Sequence, residues 1–155
     1  MSTLVSLAEF RSTRYSNPNW TDDEVQAALD YAEQRFYRLT NRDVVGYWFV
    51  ARDVELSLDG TGMDYLRVPY PLLDLASVQL LDSSGAGTDI TSYVRWRGHY
   101  IWYDPGFPAG FANVVVQATC GDPRYAVAGQ TDTVPPDVKD AVCRLAEMKL
   151  SLIHI

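Results

Sequence analysis

At 155 residues, with 47% hydrophobic and 21% charged residues, the chain holds one domain's worth of ordinary globular composition, which excludes disorder as its default state. A net charge of −7 without long runs of like charge argues against a general nucleic-acid or membrane-surface binder, because both need clustered Lys and Arg. No apolar run approaches bilayer length, and no basic-then-apolar leader opens the chain, so neither a membrane span nor a signal peptide is expected.

Residues 3–14 predict a short helix, with Ser6 and Glu9 at capping-box spacing and Leu7 and Phe10 able to share a face. Asn17-Pro18 then predicts a loop, and Trp20 stands where an apolar residue can staple the entry of the next helix. That helix, Thr21 to Thr40, is the strongest local signal in the chain. Thr21 and Glu24 form a second capping box, and Asp22 and Asp23 place negative charge in the first turn. Val25, Ala28, Leu29, Ala32, Phe36 and Leu39 recur as one apolar stripe, which needs a partner to cover it.

After Asn41 the pattern turns to β. Val44 to Phe49 reads as a strand by its β-branched and aromatic content, and Val54, Leu56 and Leu58 alternate with Glu55 and Ser57 as a half-buried strand. Asp59-Gly60-Thr61-Gly62 is a turn, with Tyr65 to Val68 as the strand returning from it. Turn chemistry accounts for these aspartates and glycines without a metal ion. Ala76 to Leu81 is a further strand, Val94 to Tyr103 a hairpin bent at Gly98, and Asn113 to Thr119 a nearly continuous apolar strand expected at the centre of its sheet. Residues 121–133 form a polar loop. Pro135 and Pro136 open a last helix, whose inward stripe is Val138, Ala141, Val142, Leu145 and either Ala146 or Met148.

The class is therefore α+β: helices from both chain ends packed together, with an antiparallel β block of about five or six strands between them. One domain spans residues 1–155, helical over 1–43, β over 44–120 and closed by a helix and tail over 134–155. Cys120 and Cys143 belong to no CxxC pair and read as two reduced, buried thiols, with a disulfide left possible.

No constellation names a reaction. His99 and His154 lie at a hairpin bend and at the chain end, and no phosphate loop, dinucleotide fingerprint or metal cluster is present, so neither an enzyme nor a cofactor is expected. Three other features stand out. Trp96, Tyr100, Trp102 and Tyr103 could make a ligand surface for a sugar, against the alternative that Trp96 and Trp102 sit inside while the tyrosines edge the sheet. Arg95 and Arg97 share the face opposite Trp96, a weak basic patch. The chain also stays apolar through Lys149-Leu150-Ser151-Leu152-Ile153-His154-Ile155, which suggests an end that docks on its own core or on a partner.

Several stretches together resemble phage head–tail connector proteins, the adaptors that complete the head. They are Leu66-Arg67-Val68-Pro69-Tyr70-Pro71-Leu72-Leu73 followed by Ser77-Val78, Asn113 to Val116 running to Cys120-Gly121, and Val134-Pro135-Pro136-Asp137-Val138-Lys139-Asp140-Ala141. Thr40-Asn41-Arg42 sits where many members carry Thr-Gly-Arg, with Asn41 in place of the glycine. The resemblance implies a structural virion protein and not an enzyme, at the head–tail junction and made in the host cytoplasm. It implies a homo-oligomeric ring, with twelve copies expected, beneath the portal protein and above a downstream neck or tail-completion protein. DNA would pass through the lumen without specific binding, and no membrane is involved. On the same basis Lys149, Leu150, Leu152, Ile153 and Ile155 are the residues expected to dock on the portal. The alternative is a carbohydrate- or surface-binding β module of a phage particle that uses the Trp96–Tyr103 aromatics.

Overall fold

The computed structural model of the chain describes residues 2–154 and divides into two compact units. The first takes in Met1–Val44 with Thr131–Ile155, and the second Val45–Gln130. The class is α+β, with helices from both chain ends in one unit and antiparallel strands in the other.

The helical unit holds α1 (Leu7–Arg11), α2 (Asp22–Thr40) and α3 (Pro136–Ile153). Both capping boxes form. The Ser6 hydroxyl accepts the Glu9 N–H at 3.1 Å while Glu9 accepts the Ser6 N–H at 2.8 Å, and Thr21 and Glu24 repeat the exchange at 3.2 and 2.9 Å. Each box satisfies donors that a helix start otherwise leaves orphaned. At its other end, α2 closes on Asn41 in the left-handed conformation (φ 54°), with Arg42 N–H reaching Tyr37 C=O and Asn41 N–H reaching Arg38 C=O. This is the Schellman closure, which favours glycine and accepts asparagine, so Asn41 fills the position in which the resemblance expected glycine.

The core of this unit is Leu4, Phe10, Val25, Leu29 and Ala32 against Val142, Ala146 and Leu150. The stripe on α2 departs from expectation at its C-terminal end. Its buried row runs Val25, Leu29, Glu33, Tyr37 in steps of four, which leaves Phe36 half-buried and Leu39 63% exposed. A carboxylate is tolerated at Glu33 because Thr3 donates both its N–H, at 2.8 Å, and its hydroxyl to it. On α3 the inward stripe takes Ala146, and Met148 points outward at 62% exposure.

The β unit holds two antiparallel sheets. Strands β1 (Arg52–Gly60), β7 (Gly110–Cys120), β3 (Leu72–Leu81) and β4 (Gly87–Asp89) form one, in the order β1-β7-β3-β4. Strands β2 (Tyr65–Arg67), β6 (Tyr100–Tyr103) and β5 (Val94–Arg97) form the other, in the order β2-β6-β5. The described residues thus give seven strands where five or six were expected, the short β4 being the one without a sequence signal. β7 lies between two neighbours, as its apolar run predicts: Val114 and Val116 are fully buried, and Val116 faces both Leu56 and Val78.

Two expectations fail. Val44 to Phe49 is no strand: residues 41–46 are turn, and Gly46 at φ +71° lies so close to Tyr70 that a Cβ there would be 2.5 Å from the ring. The aromatics that suggested β structure are instead single anchors, with Trp48 5.0 Å from Tyr70 and Phe49 5.2 Å from Tyr125 between ring centres. Nor does β2 return alongside β1, because β1 pairs with β7 and β2 with β6. The turn between them bends away: Asp59 accepts the Ala112 N–H at 2.7 Å, and Asn113 accepts the Gly60 N–H at 2.7 Å. A Cβ on Gly60 would stand 1.8 Å from the Pro108 carbonyl oxygen, so only glycine fits there.

The polar loop after β7 has no regular structure but has an anchor. Asp122, fully buried, accepts bonds from the Arg124 N–H and guanidinium at 2.9 to 3.1 Å. No helix among the described residues is long and apolar enough to cross a membrane.

Candidate functional site

Several ionisable groups of the helical unit pair with one another around one hollow. A hollow of about 260 Å³ is lined by Glu9, Tyr15, Lys139, Asp140 and Cys143 among others. Within it Lys139 pairs with Glu9 at 2.6 Å, and the Tyr15 hydroxyl donates to Asp140 at 2.9 Å while accepting from Arg144 at 2.9 Å. Burial pushes the Cys143 thiol up to about 11, and that of Cys120 likewise, so neither offers a thiolate near neutral pH. Both cysteines are free and buried. His99 Nδ1 sits 3.0 Å from the Val68 carbonyl oxygen, and His154 Nε2 lies 3.3 Å from Glu24 with its ring stacked on Trp20. No group of three or more His, Cys, Asp and Glu able to hold a metal occurs among the described residues.

The C-terminal half of α3 is the first surface with an unsatisfied character. Met148 and Leu152, four residues apart and therefore neighbours on one helix face, are 62% and 68% exposed, and Ile153 is 57% exposed. Glu147 and Ser151 join Met148 and Leu152 around an open hollow of about 370 Å³. The residues expected at a docking end divide here. Leu150 is fully buried, because it continues the row Val142–Ala146–Leu150 into the core of the helical unit, and so it leaves the docking set. Lys149 holds its ammonium 4.5 Å from the centre of the Tyr31 ring, a cation–π contact within the same unit. Leu152 and Ile153 remain outward, and Ile155 lies outside the described residues. Met148 joins the exposed set, although its position near the helical stripe had offered it to the core.

The aromatic hairpin is the second surface, and the pleat divides its four residues. Trp96 pairs with Ile101 and Val94 with Tyr103, which puts Trp96 and Tyr103 on one face, where Tyr103 lies 5.6 Å from the buried Phe107. Tyr100 and Trp102 project from the other face, opposite Arg97 and Arg95. The expectation that the two tryptophans share the inside is thus corrected: Trp96, on an edge strand, is 36% exposed, and Trp102 is half-buried on the outer face. A flat four-ring sugar platform is not formed.

Sequence reasoning missed what β2 adds to that outer face. Tyr65 pairs with Trp102 and Arg67 with Tyr100, so one row reads Arg67–Tyr100–Arg97 and the next Tyr65–Trp102–Arg95. Arg67 alternates with Leu66 in the sequence, but only the pairing of β2 with β6 brings it into one row with Arg97, across Tyr100.

No protein-family model and no curated protein matches the sequence. Solved structures share the fold. A chain in the neck of an empty gene transfer agent particle, computed with C6 symmetry, superposes with a TM-score of 0.67 at 20% identity, over 99% of this chain and 81% of that one. A chain in the virion of the native gene transfer agent particle gives 0.67 at 20% identity, over 96% of this chain and 79% of that one. A chain in the native neck computed with C12 symmetry gives 0.59 at 19% identity, over 99% and 80%. At such identities the likeness establishes the fold.

Proposed function

We propose that this chain is a structural protein of the neck of a phage-like particle, a ring-forming adaptor that docks beneath the portal and joins the capsid to the tail or neck protein below. The observation that carries this reading is the match of the whole fold, helical unit and β unit alike, to chains of gene transfer agent necks computed with C6 and C12 symmetry. A twelve-copy ring is the count that goes with it. The exposed end of α3 supports a docking role: Leu152 and Ile153 present apolar surface that a partner would remove from water at about 25 cal/mol per Å² buried. Met148 adds to it, and Lys149 supplies a charge at its border. A net charge of −7 suits a lumen through which DNA slides, since like charge repels the phosphates.

Electron microscopy of the purified protein mixed with its particle's portal complex tests the reading. The expected result is added ring density below the portal, lost in a Leu152→Asp/Ile153→Asp variant that still folds by circular dichroism. A protein that never joins the portal, alone or in excess, would overturn it.

A further inference from the structure

The two sheets of the β unit present outer faces of opposite charge. On the three-stranded sheet, Arg67, Arg95 and Arg97 are exposed and interleaved with Tyr65, Tyr100 and Trp102. The rings form a ladder, with Tyr65 6.4 Å from Tyr100 and Tyr100 5.9 Å from Trp102 between centres. Arg95 meets Asp104 only across 3.7 Å, with both side chains more than three-quarters in water, a pair that contributes little. Arg67 and Arg97 make no ion pair among the described residues.

On the four-stranded sheet the outer positions read Asp53–Thr119–Asp74, then Glu55–Gln117–Ser77, with Gln79 opposite Asp89. Four carboxylates stand on this face, and no lysine or arginine occupies any of these positions. The carboxylates that are bonded across strands meet neutral partners: Asp53 accepts from the Thr119 hydroxyl at 2.7 Å and Glu55 from the Gln117 amide at 3.3 Å.

We propose that the arginine–aromatic face of one copy docks on the carboxylate face of the next copy and so forms the head-to-tail contact of a ring. This inference rests on the adaptor reading and names the surfaces that reading leaves open. Three observations favour a second copy over any other occupant. The two faces are complementary in charge, guanidinium against carboxylate, the pairing that gives an interface its register and specificity. They differ from one another, as a closed ring of identical subunits requires, because a ring is built from two unlike patches on each copy. Arginine, tyrosine and tryptophan are also the residues that dominate interface energetics. A nucleic acid fits less well, since the chain that carries the three arginines has a net charge of −7.

The test exchanges charge between full-length chains. Arg95→Glu/Arg97→Glu makes both faces acidic, and Asp53→Arg/Glu55→Arg makes both basic. Sedimentation velocity is expected to show the wild type self-associating in a salt-sensitive way and each variant alone weakened by on the order of a hundredfold. An equimolar mixture of the two variants is expected to assemble again, because each then offers the charge the other needs. A misfolded variant could not be rescued in that way. Wild-type assembly indifferent to both variants, or a mixture that restores nothing, would remove this contact and leave the ring reading standing. A wild type that assembles neither alone nor on a portal would remove both. A fluorescent duplex DNA supplies the last arm: if the arginine variant loses DNA binding yet associates as the wild type does, the face belongs to nucleic acid and the proposal fails.

Discussion

Two surfaces of the molecule, one in the helical unit and one in the β unit, turn different chemistry to the outside. Around the C-terminal half of α3 the exposed large apolar groups are Met148, Leu152 and Ile153, whereas the outer sheet faces carry arginines, tyrosines and carboxylates. The first kind of surface gains from leaving water and is not screened by salt. The second gains from opposite charge and is screened over about 8 Å at physiological ionic strength. The two surfaces therefore respond to different conditions. The buried sides of the units differ less: each is packed with aliphatic and aromatic side chains, and no buried side-chain polar atom among the described residues lacks a partner.

The sharpest way to break that contrast lies within α3, where Leu150 and Leu152 are two residues apart. Leu150→Ala removes a fully buried side chain, and a loss of about 2–5 kcal/mol in urea unfolding is expected. Leu152→Ala touches a side chain already 68% exposed and should stay within about 0.5 kcal/mol in the isolated protein. Equal losses at the two sites would mean that α3 does not divide into a buried and an exposed side there, and a larger loss at Leu152 would mean that the two sides have been exchanged.

A smaller effect is expected at the start of α2. Thr21→Ala removes the acceptor for the Glu24 N–H, and helix caps of this kind are worth about 1 kcal/mol. Thr21→Ser keeps the hydroxyl and should recover most of the loss. If both variants unfold at the wild-type midpoint, the reciprocal cap is not holding the helix.

The cap was legible in the sequence for the same reason that it can be tested singly. Thr21, Glu24 and the apolar residues behind them act within a few positions of one another, as do the two arms of the Gly98 hairpin. The partners of β1 and β2 were not legible, because the short Asp59–Gly62 turn looks like a hairpin and nothing local says that Asn113 and Ala112, some fifty residues on, hold it. The aromatic content of Val44 to Phe49 misled in a related way, since Trp48 and Phe49 are buried by distant rings without any ladder. The candidate surfaces followed the same rule. The apolar chain end could be read directly, yet Leu150 faced inward once the helix phase was fixed. The arginine–aromatic face could be read only in half, because Arg67 and Tyr65 reach it through β2.

Acid separates the two units by the smallest expected effect. In the helical unit Glu9 is held below its usual 4.5, chiefly by the hydrogen bond from Lys139, and Glu24 below the same value, chiefly by the Thr21 N–H. In the β unit Asp82 and Asp89 are held below 3.8, chiefly by the hydroxyls of Ser84 and Thr91. A carboxyl whose folded value lies below its unfolded one stabilises at pH above the unfolded value, and that contribution is lost as pH falls through the folded value. Because the ordinary value of a glutamate (4.5) lies above that of an aspartate (3.8), the helix caps should begin to weaken at a higher pH than the β turns. All four side chains lie near water, so each contribution is small. Urea midpoints measured from pH 7 downward should fall less steeply in a Glu9→Gln/Glu24→Gln variant than in the wild type, because glutamine has no proton to gain. An unchanged acid slope would show that these carboxylates do not link the helical unit to pH, and that the acid response comes from elsewhere in the chain.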